Sequence, residues 1–333
     1  MQTSPFPYSD TNKRYHTYDY YLKHRYGTKC ARIPIDAGFS CPNRLGCSVS
    51  NRGTDSGLDR LDGSGCIYCS ARGSGDFCAD ALLPPAEQFA RGYETLCKKW
   101  GKRLPAIPYF QAFSNTYAPL DTLKRLYNEA LSYRDADGNP VPIPAISIAT
   151  RPDCLPDDVV SYLADLNTRT DVTVELGLQS AKDETLTRIR RGHSFAAFLD
   201  GYTRLKNAGI AVCVHIINGL PGENVDDMLF TAKTLAALKP DFLKIHMLHV
   251  LKNTPLAGMW EAGEVPLLSL SEYADIVIRQ LSILPPETVI CRLTGDGAGG
   301  ELLAPLWTKN KRAVIAAIDR GFCAADGWQG KLY

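Results

Sequence analysis

Short apolar runs rich in β-branched residues alternate along the chain with segments that repeat apolar positions at helical spacing. Most of the runs are continuously apolar, which is typical of strands buried on both faces of a parallel sheet. They predict six strands, at residues 31–36, 107–113, 145–150, 172–178, 210–217 and 242–248. The helical segments lie at 84–100, 119–133, 156–167, 182–191 with 195–209, and 225–239. This alternation predicts a parallel sheet with right-handed crossovers.

Six strand–helix units, rather than eight, predict an α/β fold in the form of an incomplete (β/α)6 barrel, although a doubly wound sheet has the same alternation. Residues 31–262 form the predicted barrel, with a long loop at 37–78. Residues 1–30 are predicted to form a tyrosine-rich, helical N-terminal segment. Residues 263–333 are predicted to form a small C-terminal extension. It contains a helix at 264–284, a strand and glycine-rich turn at 288–297, and a final helix near 311–322.

Composition narrows the class of protein. A chain of 333 residues, 45% of them hydrophobic, can bury one large core, and 37 basic against 36 acidic side chains create no overall field toward nucleic acid or membrane. No stretch approaches the roughly 20 apolar residues of a membrane span, and the N-terminus has no apolar signal segment, so we expect a cytoplasmic protein. Eleven cysteines, an odd number, argue against a disulfide framework and favour metal binding in the crowded stretch from Cys41 to Cys78.

The cysteine-rich stretch is a polar loop after the first predicted strand, where the active sites of βα barrels assemble. Cys66 and Cys69 have the C-x₂-C spacing, which lets two thiolates bind one metal centre. Three interpretations compete. A structural zinc site requires four ligands, for which Cys41 and Cys47 are a loosely spaced second pair, and a redox motif would have to open a helix after a strand. A three-cysteine [4Fe–4S] cluster leaves one iron free for a small molecule, and the spacing favours it over zinc.

Several motifs follow one another in a fixed order. The chain contains YHTYDYYLKHRYG, IPIDAGFSCPNRLG and GSGCIYCS, followed by YFQAFSNTYAPL, SIATRPDCLPDDVV, VELGLQS, RIRRGHSF, HIINGLPGE and LKIHMLHVLKNTPLA, then RLTGDG and LLAPLW. This order resembles the YhcC/YtqA-like family of radical S-adenosylmethionine (SAM) proteins, which are relatives of the catalytic subunit of elongator. Their pattern is a tyrosine-rich start, a strand, DAGF(S/T)CPNRDG and GGCxFC. The resemblance covers nearly the whole chain.

The resemblance implies a radical SAM barrel with a [4Fe–4S] cluster bound by Cys41, Cys66 and Cys69, and with S-adenosyl-L-methionine on the open iron. This chain departs from the family between its first two ligands, where 24 residues separate Cys41 from Cys66 and include Cys47. The CPNR context favours Cys41 as the first ligand, with Cys47 as the alternative. An electron donor such as flavodoxin or ferredoxin is implied as a partner.

The resemblance also implies which residues contact SAM. They are Tyr68, Ser114, Asn115, Thr116, Thr150, Glu175, Gln179, Arg191, His215 and Gly219. Tyr68 is expected near the adenine, Arg191 lies twelve residues after Gln179, and the others lie at or just beyond strand ends. For Glu175, Gln179 and Arg191 the alternative is a surface cap, an ion pair or a solvated helix end. His246 and His249, at or past the sixth strand, are candidates for the substrate side, although a lone strand histidine is more often a core residue.

Kinship with elongator implies that the substrate is tRNA, and that the reaction modifies the side group of a wobble uridine in 5-aminomethyl-type uridine synthesis. Basic residues beside an aromatic side chain suit contact with RNA, and each such patch has an ordinary solvated surface as its alternative. The patches are Lys98, Lys99, Lys102 and Arg103 with Trp100, and Lys309, Lys311 and Arg312 with Trp307. Two other functions stay open: a radical SAM enzyme for a small molecule or peptide, and a non-catalytic iron–sulfur or zinc protein that binds RNA or senses redox state.

Overall fold

A computed structural model describes residues 6–45, 65–73, 78–79, 81–135, 137–295 and 300–333. The strands are β1 (Ala31–Ile35), β2 (Ala106–Phe110), β3 (Ala145–Thr150), β4 (Asp171–Gln179), β5 (Ala211–Asn218), β6 (Phe242–Met247), β7 (Val250–Leu251), β8 (Val289–Arg292) and β9 (Leu302–Ala304). Seven of them form one parallel sheet in the order β1-β2-β3-β4-β5-β6-β8. The short strands β7 and β9 form a separate antiparallel pair.

The order of the main sheet follows the chain, without the reversal that gives a doubly wound sheet its switch point. The sheet is a curled half-barrel, so the predicted incomplete α/β barrel is confirmed. It has seven strands instead of six, because Phe242 and Leu243 in β6 pair with Val289 and Ile290 in β8. The strand predicted within the C-terminal extension therefore continues the main sheet, and a domain boundary at residue 262 stays a prediction.

Helices connect the strands and cover the outer face of the sheet. They are α1 (Tyr18–Tyr26), α2 (Pro42–Leu45), α3 (Pro85–Trp100), α4 (Leu120–Leu131), α5 (Asp157–Leu166), α6 (Asp183–Arg188), α7 (Phe195–Asn207), α8 (Val225–Leu238), α9 (Pro255–Glu261), α10 (Leu270–Ile283) and α11 (Lys311–Ala324). Asn224 and Asp227 form a reciprocal capping box at the start of α8. The helix predicted at 182–191 ends early as α6, because Arg190 has a φ of 51° and the Arg191 amide turns back to the Leu186 carbonyl at 2.8 Å.

The two faces of the curled sheet have different side chains. Ile33, Ile146 and Val174 are fully buried between the strands and the surrounding helices. Gly92 lets α3 lie directly on β1, since a Cβ at that position would lie 2.6 Å from Cγ2 of Ile33. Positions one residue away face the lumen of the barrel, as the period of two along a strand requires. The lumen side chains include Arg32, Tyr109, Glu175, His215 and Lys244.

The N-terminal segment closes the end of the barrel at which the strands begin. The amide of Ile290 in β8 donates to the carbonyl of His16 at 2.7 Å, and α1 then crosses the sheet toward β1. Tyr21 in α1 packs on Phe242, the first residue of β6, with ring centroids 5.0 Å apart. The opposite end, where the strands finish, is left for the loops that follow them.

The C-terminal part of the chain packs against both ends of the sheet. β9 pairs with β7 beyond the end of β6, and α10 and α11 pack on one another. The amide of Gln329 donates to the carbonyl of Arg14 at 2.8 Å and joins the two terminal segments. Within the described ranges, no helix combines the length and apolarity needed to cross a membrane. The cytoplasmic location expected from the sequence stays a prediction.

Candidate active site

Three cysteines lie at the end of the barrel where the strands finish. Cys41 stands between β1 and α2, and Cys66 and Cys69 flank a tight turn in which the Cys69 amide donates to the Cys66 carbonyl at 3.1 Å. Cys66 is buried, whereas Cys41 and Cys69 are half-buried. The Cys41 thiol lies within electrostatic range of Cys69. Cys47, the alternative first ligand, lies outside the described residues, so the choice between it and Cys41 stays a prediction.

Backbone hydrogen bonds fix the cysteine turn across the mouth of the barrel. The Gly65 amide donates to the Asn43 carbonyl at 3.2 Å, the Ile67 amide to the Ile189 carbonyl at 3.1 Å, and the Leu256 amide to the Ile67 carbonyl at 3.0 Å. These bonds connect the turn to the segments that follow β1, β4 and β7. A loop held from three sides presents its thiols in a fixed geometry.

Two buried donors approach the sulfur of Cys66. Nδ2 of Asn43 lies 3.4 Å from this Sγ and also donates to the Arg190 carbonyl at 2.7 Å. Nη1 of Arg191 lies 3.7 Å from the same sulfur, while its Nη2 donates to the Gly177 carbonyl at 2.7 Å. Donors to cysteine sulfur are the outer partners that orient and tune metal and iron–sulfur centres.

The thiols of Cys66 and Cys69 are hydrogen-bonded to each other. The hydrogen bond from Cys69 lowers the pKa of Cys66 well below its usual range, and the same bond raises the pKa of Cys69. Burial opposes ionisation of Cys66, but the guanidinium groups of Arg191 and Arg151 favour its thiolate. Because the thiolate is the form that binds metal, this electrostatic environment prepares Cys66 as a ligand.

Arg151 organises the wall beside the cysteines. Its Nη1 donates to the Arg191 carbonyl at 2.7 Å, and its Nε and Nη2 donate to the Asp153 carboxylate at 2.8 and 2.7 Å. Burial, together with the charges of Arg191 and Arg151, lowers the pKa of His193 to about 3. Arg151 and Asn43 were not among the residues predicted from the sequence. The signals that could have found them are their places directly after the third strand and within the CPNR motif.

The predicted Ser114–Thr116 turn follows β2 and is buried. Nδ2 of Asn115 donates to two backbone carbonyls at 2.9 Å each, but its Oδ1 is buried without a hydrogen-bond partner. The hydroxyl groups of Thr116 and Thr150 lie 2.6 Å apart and bond to each other. Oγ of Ser114 is likewise buried without a hydrogen-bond partner, so both Ser114 and Asn115 have a buried oxygen available to a ligand.

The side chains of Gln179 and Arg191 both reach Gly177 near the end of β4, and the SAM contacts predicted for them stay predictions. The strand bulges between Gly177 and Gln179, and Gln179 has a φ of 79°, a conformation that is strained for a side chain other than glycine. A Cβ at residue 177 would lie 2.6 Å from Nη2 of Arg191 and 3.0 Å from Nε2 of Gln179. Glycine at this position thus leaves room for both side chains over the strand.

Glu175 lies deeper than the sequence indicated, because β4 continues to Gln179 beyond it. Its carboxylate forms ion pairs with Arg32 and Lys244 inside the barrel, and Nε2 of His215 lies 2.8 Å from it. Burial and the charge of Lys244 lower the pKa of His215 to about 4. Glu175 and His215 therefore belong to a polar network in the lumen, beneath the mouth that holds the cysteines.

The other predicted residues are Tyr68, Gly219, His246 and His249. Tyr68 packs on the apolar cluster beside the cysteine turn, and Gly219, with a φ of 86°, directly follows β5. The ring of His246 lies 5.8 Å from that of His215. Nε2 of His249 is buried without a hydrogen-bond partner, and burial lowers the pKa of this histidine to about 4. The roles predicted for these four residues stay predictions.

The residues present fit a cluster and a polar cofactor. Ligands of one zinc ion, each about 2.3 Å from the metal, lie within about 4 Å of one another. Among the described residues, three ligand atoms within 4.8 Å of one another occur at Glu175, Cys213 and His215 in the lumen, but not among the three cysteines of the mouth. The three mouth cysteines therefore do not form a ready-made site for a single ion. The orphaned Asn115 Oδ1 and Arg191 Nε are buried polar atoms that a bound cofactor would satisfy.

The two basic patches lie at opposite ends of the barrel. The first ends α3 and precedes β2, at the end where strands begin, and its Trp100 is half-buried with Nζ of Lys29 5.1 Å from the ring centre. The second precedes and opens α11, next to β9 and within electrostatic range of His249. Its Trp307 donates to the Leu268 carbonyl at 2.9 Å and packs on Tyr273. Both indole rings are engaged in the fold, so neither patch presents the free aromatic platform that the sequence suggested.

Comparison with known proteins identifies the family. The profile of the radical SAM superfamily matches residues 63–235, and that of the radical SAM C-terminal domain matches residues 240–322. YtqA of Bacillus subtilis is 43% identical over 333 residues, covering 100% of this chain and 97% of YtqA. YhcC of Escherichia coli K12 is 34% identical over 300 residues, covering 90% and 89%. The chain therefore belongs to the radical SAM superfamily and, within it, to the family of YtqA and YhcC. Its cofactors are those of the superfamily, a [4Fe–4S] cluster and SAM.

A protein sequence and a solved structure from Methanocaldococcus infernus show more distant similarity. Its tRNA uridine(34) acetyltransferase is 30% identical over 155 residues, covering 46% of this chain and 28% of that protein. The structure of its Elp3 without the N-terminus superposes with a TM-score of 0.61 and 21% identity, covering 72% of this chain and 59% of that one. The structural similarity supports the incomplete barrel as the shared fold.

Proposed function

We propose that the chain uses radical SAM chemistry to modify the side group of a wobble uridine in tRNA, as in the synthesis of 5-aminomethyl-type uridines. The observation that carries this proposal is the similarity to a tRNA uridine(34) acetyltransferase, which extends over 46% of the chain. A second observation supports it. Lys309, Lys311 and Arg312 are exposed at the same end of the barrel as the cysteines, where cations could neutralise RNA phosphates.

Different residues at the mouth of the barrel are proposed to bind the cluster, bind SAM and position these groups. The proposed cluster ligands are Cys41, Cys66 and Cys69, and the proposed SAM contacts are Asn115, Gln179 and Arg191. The chemistry that cluster and SAM supply when bound is reductive cleavage of the sulfonium to a 5′-deoxyadenosyl radical. Asn43 stabilises the charge on the Cys66 sulfur, and Arg151 holds the wall that excludes water. The electron comes from a protein of the flavodoxin or ferredoxin type.

The enzymatic part of the proposal is tested by anaerobic reconstitution. Reduced protein with SAM should release 5′-deoxyadenosine, and Cys41→Ala, Cys66→Ala and Cys69→Ala should each lose both bound iron and this product. Cys323→Ala, an exposed cysteine in α11, is the matched control and should retain both. If Cys41→Ala kept its iron and Cys47→Ala lost it, Cys47 would be the first ligand. A fully loaded protein that releases no 5′-deoxyadenosine would instead be a non-catalytic iron–sulfur protein.

The substrate is tested in cells by deleting the gene and measuring the nucleosides at the wobble position of tRNA by mass spectrometry. We expect one 5-substituted uridine to disappear and its precursor to accumulate, and a gene carrying Cys66→Ala should fail to restore the product. An unchanged wobble-uridine profile would rule out this substrate. The radical enzyme would then act on a small molecule or a peptide.

The RNA-binding surface is tested by charge reversal at the two ends of the barrel. Lys309→Glu with Arg312→Glu should weaken tRNA binding about tenfold or more and reduce the salt dependence of binding, because each lost phosphate contact lowers the salt slope by about one. Lys98→Glu with Lys102→Glu is the matched control, with the same charge change at the far end. Equal losses in both variants would show that tRNA binding does not depend on the mouth.

A further inference from the structure

A set of metal-binding side chains lies in the lumen, beneath the mouth that holds the proposed cluster. The ligand atoms of Glu175, Cys213 and His215 lie within 4.8 Å of one another. Nε2 of His215 lies 2.8 Å from the Glu175 carboxylate, and the Cys213 thiol is hydrogen-bonded to the same imidazole. Glu175 in β4 pairs in register with Cys213 in β5, so neighbouring strands hold these groups in place. Carboxylate, thiolate and imidazole are the ligand types that zinc takes in proteins.

A β-bulge brings a fourth such side chain to this set. In β8, Ile290 and Arg292 pair with successive residues of β6, so Cys291 between them is the extra residue of the bulge. An extra residue of this kind re-aims a side chain. The thiol of Cys291 is hydrogen-bonded to that of Cys213, although β6 lies between their two strands. Three strands therefore direct one carboxylate, one imidazole and two thiols toward one another inside the barrel.

We propose that the lumen binds one divalent ion of the zinc type through four residues, which we call the lumen site: Glu175, Cys213, His215 and Cys291. Four protein ligands complete a tetrahedral shell, so the ion has a structural role and no open position for a substrate. Two sulfur ligands favour zinc over magnesium or calcium, which take oxygen ligands. In a zinc site the ligand atoms lie within about 4 Å of one another, so the carboxylate, the imidazole and the Cys213 thiol need to approach by about 1 Å or less.

The cations of the lumen stabilise the metal-bound state. Two thiolates and one carboxylate carry more negative charge than a zinc ion carries positive charge, and a buried net charge is costly unless it is paired. Arg32 and Lys244 supply the pairing charge, because both form ion pairs with Glu175 and both lie within electrostatic range of Cys291. Arg32 contacts Oε1 of Glu175, whereas Lys244 and His215 contact Oε2. The ion can therefore replace the bond between Oε2 and His215, while Arg32 stays as an outer partner that orients the carboxylate.

The position of the lumen site indicates what the ion does. β8 pairs with β6 at three positions, one of them beyond the bulge, and it is the strand through which the C-terminal part of the chain joins the main sheet. An ion shared by β4, β5 and β8 fastens this last strand to the centre of the sheet across the lumen. Cys213 and Cys291 also pack beside Tyr18 and Tyr21 of α1, toward the end of the barrel that this helix closes. Zinc and the proposed cluster therefore occupy separate places, and either can bind without the other.

The test measures zinc and iron separately in purified protein. Holoprotein that is reconstituted anaerobically and then dialysed against buffered zinc should contain about one zinc ion per chain in addition to its iron. Cys213→Ser with Cys291→Ser should lower the zinc content about tenfold or more and leave the iron content unchanged, because neither residue belongs to the mouth. The X-ray absorption spectrum of the bound zinc should show sulfur together with nitrogen or oxygen ligands. Removal of zinc by a chelator should lower the melting temperature of the unmodified protein, and added zinc should restore it, whereas the variant should respond to neither.

Two further variants separate the lumen site from the other cysteines. Cys30→Ser with Cys97→Ser is the matched control, because it also changes one buried and one half-buried cysteine, and it should keep its zinc. Alanine at the three mouth cysteines should remove the iron and leave the zinc of the lumen site. The lumen site would be overturned if the unmodified protein took up no zinc, if Cys213→Ser with Cys291→Ser retained it, or if only the mouth variant lost it. A protein that binds zinc in the lumen but releases no 5′-deoxyadenosine would count against the proposed function and not against the lumen site.

Discussion

At the scale of single residues, the side chain of Arg191 makes the contacts that connect the cysteine turn to the end of β4. Its guanidinium is buried, contacts the Cys66 sulfur and the Gly177 carbonyl, and lies beside the second buried cation, Arg151. A buried cation is costly unless it is paired. The thiolate of Cys66 supplies the pairing charge, and the backbone supplies the remaining acceptors. Arg191 therefore stabilises negative charge at the cluster ligands and offers its unpaired Nε to a cofactor.

Replacing Arg191 should change the cluster before it changes the fold. In Arg191→Gln the Cys66 sulfur loses a cationic donor, so the reduced, more negative cluster is less stabilised and its reduction potential should fall. SAM cleavage should fall about 10- to 100-fold, the usual cost of removing an outer partner of a metal site. The measurements are a redox titration followed by EPR and a 5′-deoxyadenosine assay at saturating reductant.

Arg191→Lys separates charge from geometry. It keeps the positive charge but cannot reach the sulfur and the Gly177 carbonyl with a rigid fork, so its potential should lie between those of Arg191→Gln and the unmodified protein. Iron content, measured for each variant, distinguishes a retuned cluster from a lost one. If Arg191→Gln bound full iron at an unchanged potential, the contact with Cys66 would have no electrostatic role.

At the scale of elements, the sequence predicted what is local and missed what depends on the closed barrel. The long apolar runs of β3 and β5 and the helices between them were predicted because periodicity and punctuation are local signals. β8 was predicted as a strand but not as part of the barrel, since four residues cannot reveal which neighbour they pair with. Glu175 was expected at a strand end, although the predicted strand ran to residue 178, because the lumen that holds this carboxylate against Arg32 and Lys244 exists only once the sheet curls.

The contact between α3 and β1 is an element-scale property that depends on one glycine. In Gly92→Ala the added methyl group would lie 2.6 Å from Cγ2 of Ile33, so the helix must move from the strand that leads into the cysteine loop. Although alanine favours a helix by about 1 kcal/mol over glycine, overpacking costs about 1–3 kcal/mol. We therefore expect a net loss of stability in urea unfolding, together with reduced iron binding.

A double-mutant cycle with Ile33→Ala tests this explanation. Ile33→Ala removes the clashing Cγ2, so Gly92→Ala should be neutral or stabilising in that background, and the two substitutions should be strongly non-additive. Gly258→Ala in α9 is the matched control, because no heavy atom lies within 4 Å of its added Cβ, and it should stabilise by up to about 1 kcal/mol. Additive effects of Gly92→Ala and Ile33→Ala would contradict the close packing of α3 on β1.

At the scale of the whole molecule, one end of the barrel is closed by a helix and the other end holds the candidate active site. α1 covers the end where strands begin, and the polar network around Glu175 fills the lumen between the ends. The cysteine turn and its buried arginines occupy the other end, where carboxyl ends of parallel strands converge. This arrangement buries many ionisable side chains that have to be neutral or paired in the folded protein, and it makes the stability of the fold sensitive to acid.

The buried histidines determine in which direction the stability of the fold changes with pH. Burial lowers the pKa of His249 to about 4 and that of His215 to about 4, below the ordinary value of 6.5. Between these values the unfolded chain binds more protons than the folded one. The stabilisation from neutral histidine is therefore complete above pH 6.5 and is lost as the pH falls toward 4. Each such histidine should add about 1.4 kcal/mol per pH unit to the slope of the unfolding free energy in this window.

His249→Gln isolates one of these contributions. Its unfolding free energy, from urea titrations of the cluster-free protein between pH 4 and pH 7, should fall less steeply with acid than that of the unmodified chain, by about one proton's worth of slope. His249 is suited to the test because its Nε2 has no hydrogen-bond partner to lose. His24→Gln, which removes an exposed imidazole from α1, is the matched control. If His249→Gln and the unmodified chain lost stability in parallel across this range, the folded protein would bind a proton at His249 as readily as the unfolded chain does. That outcome would contradict the burial of His249 beside β7.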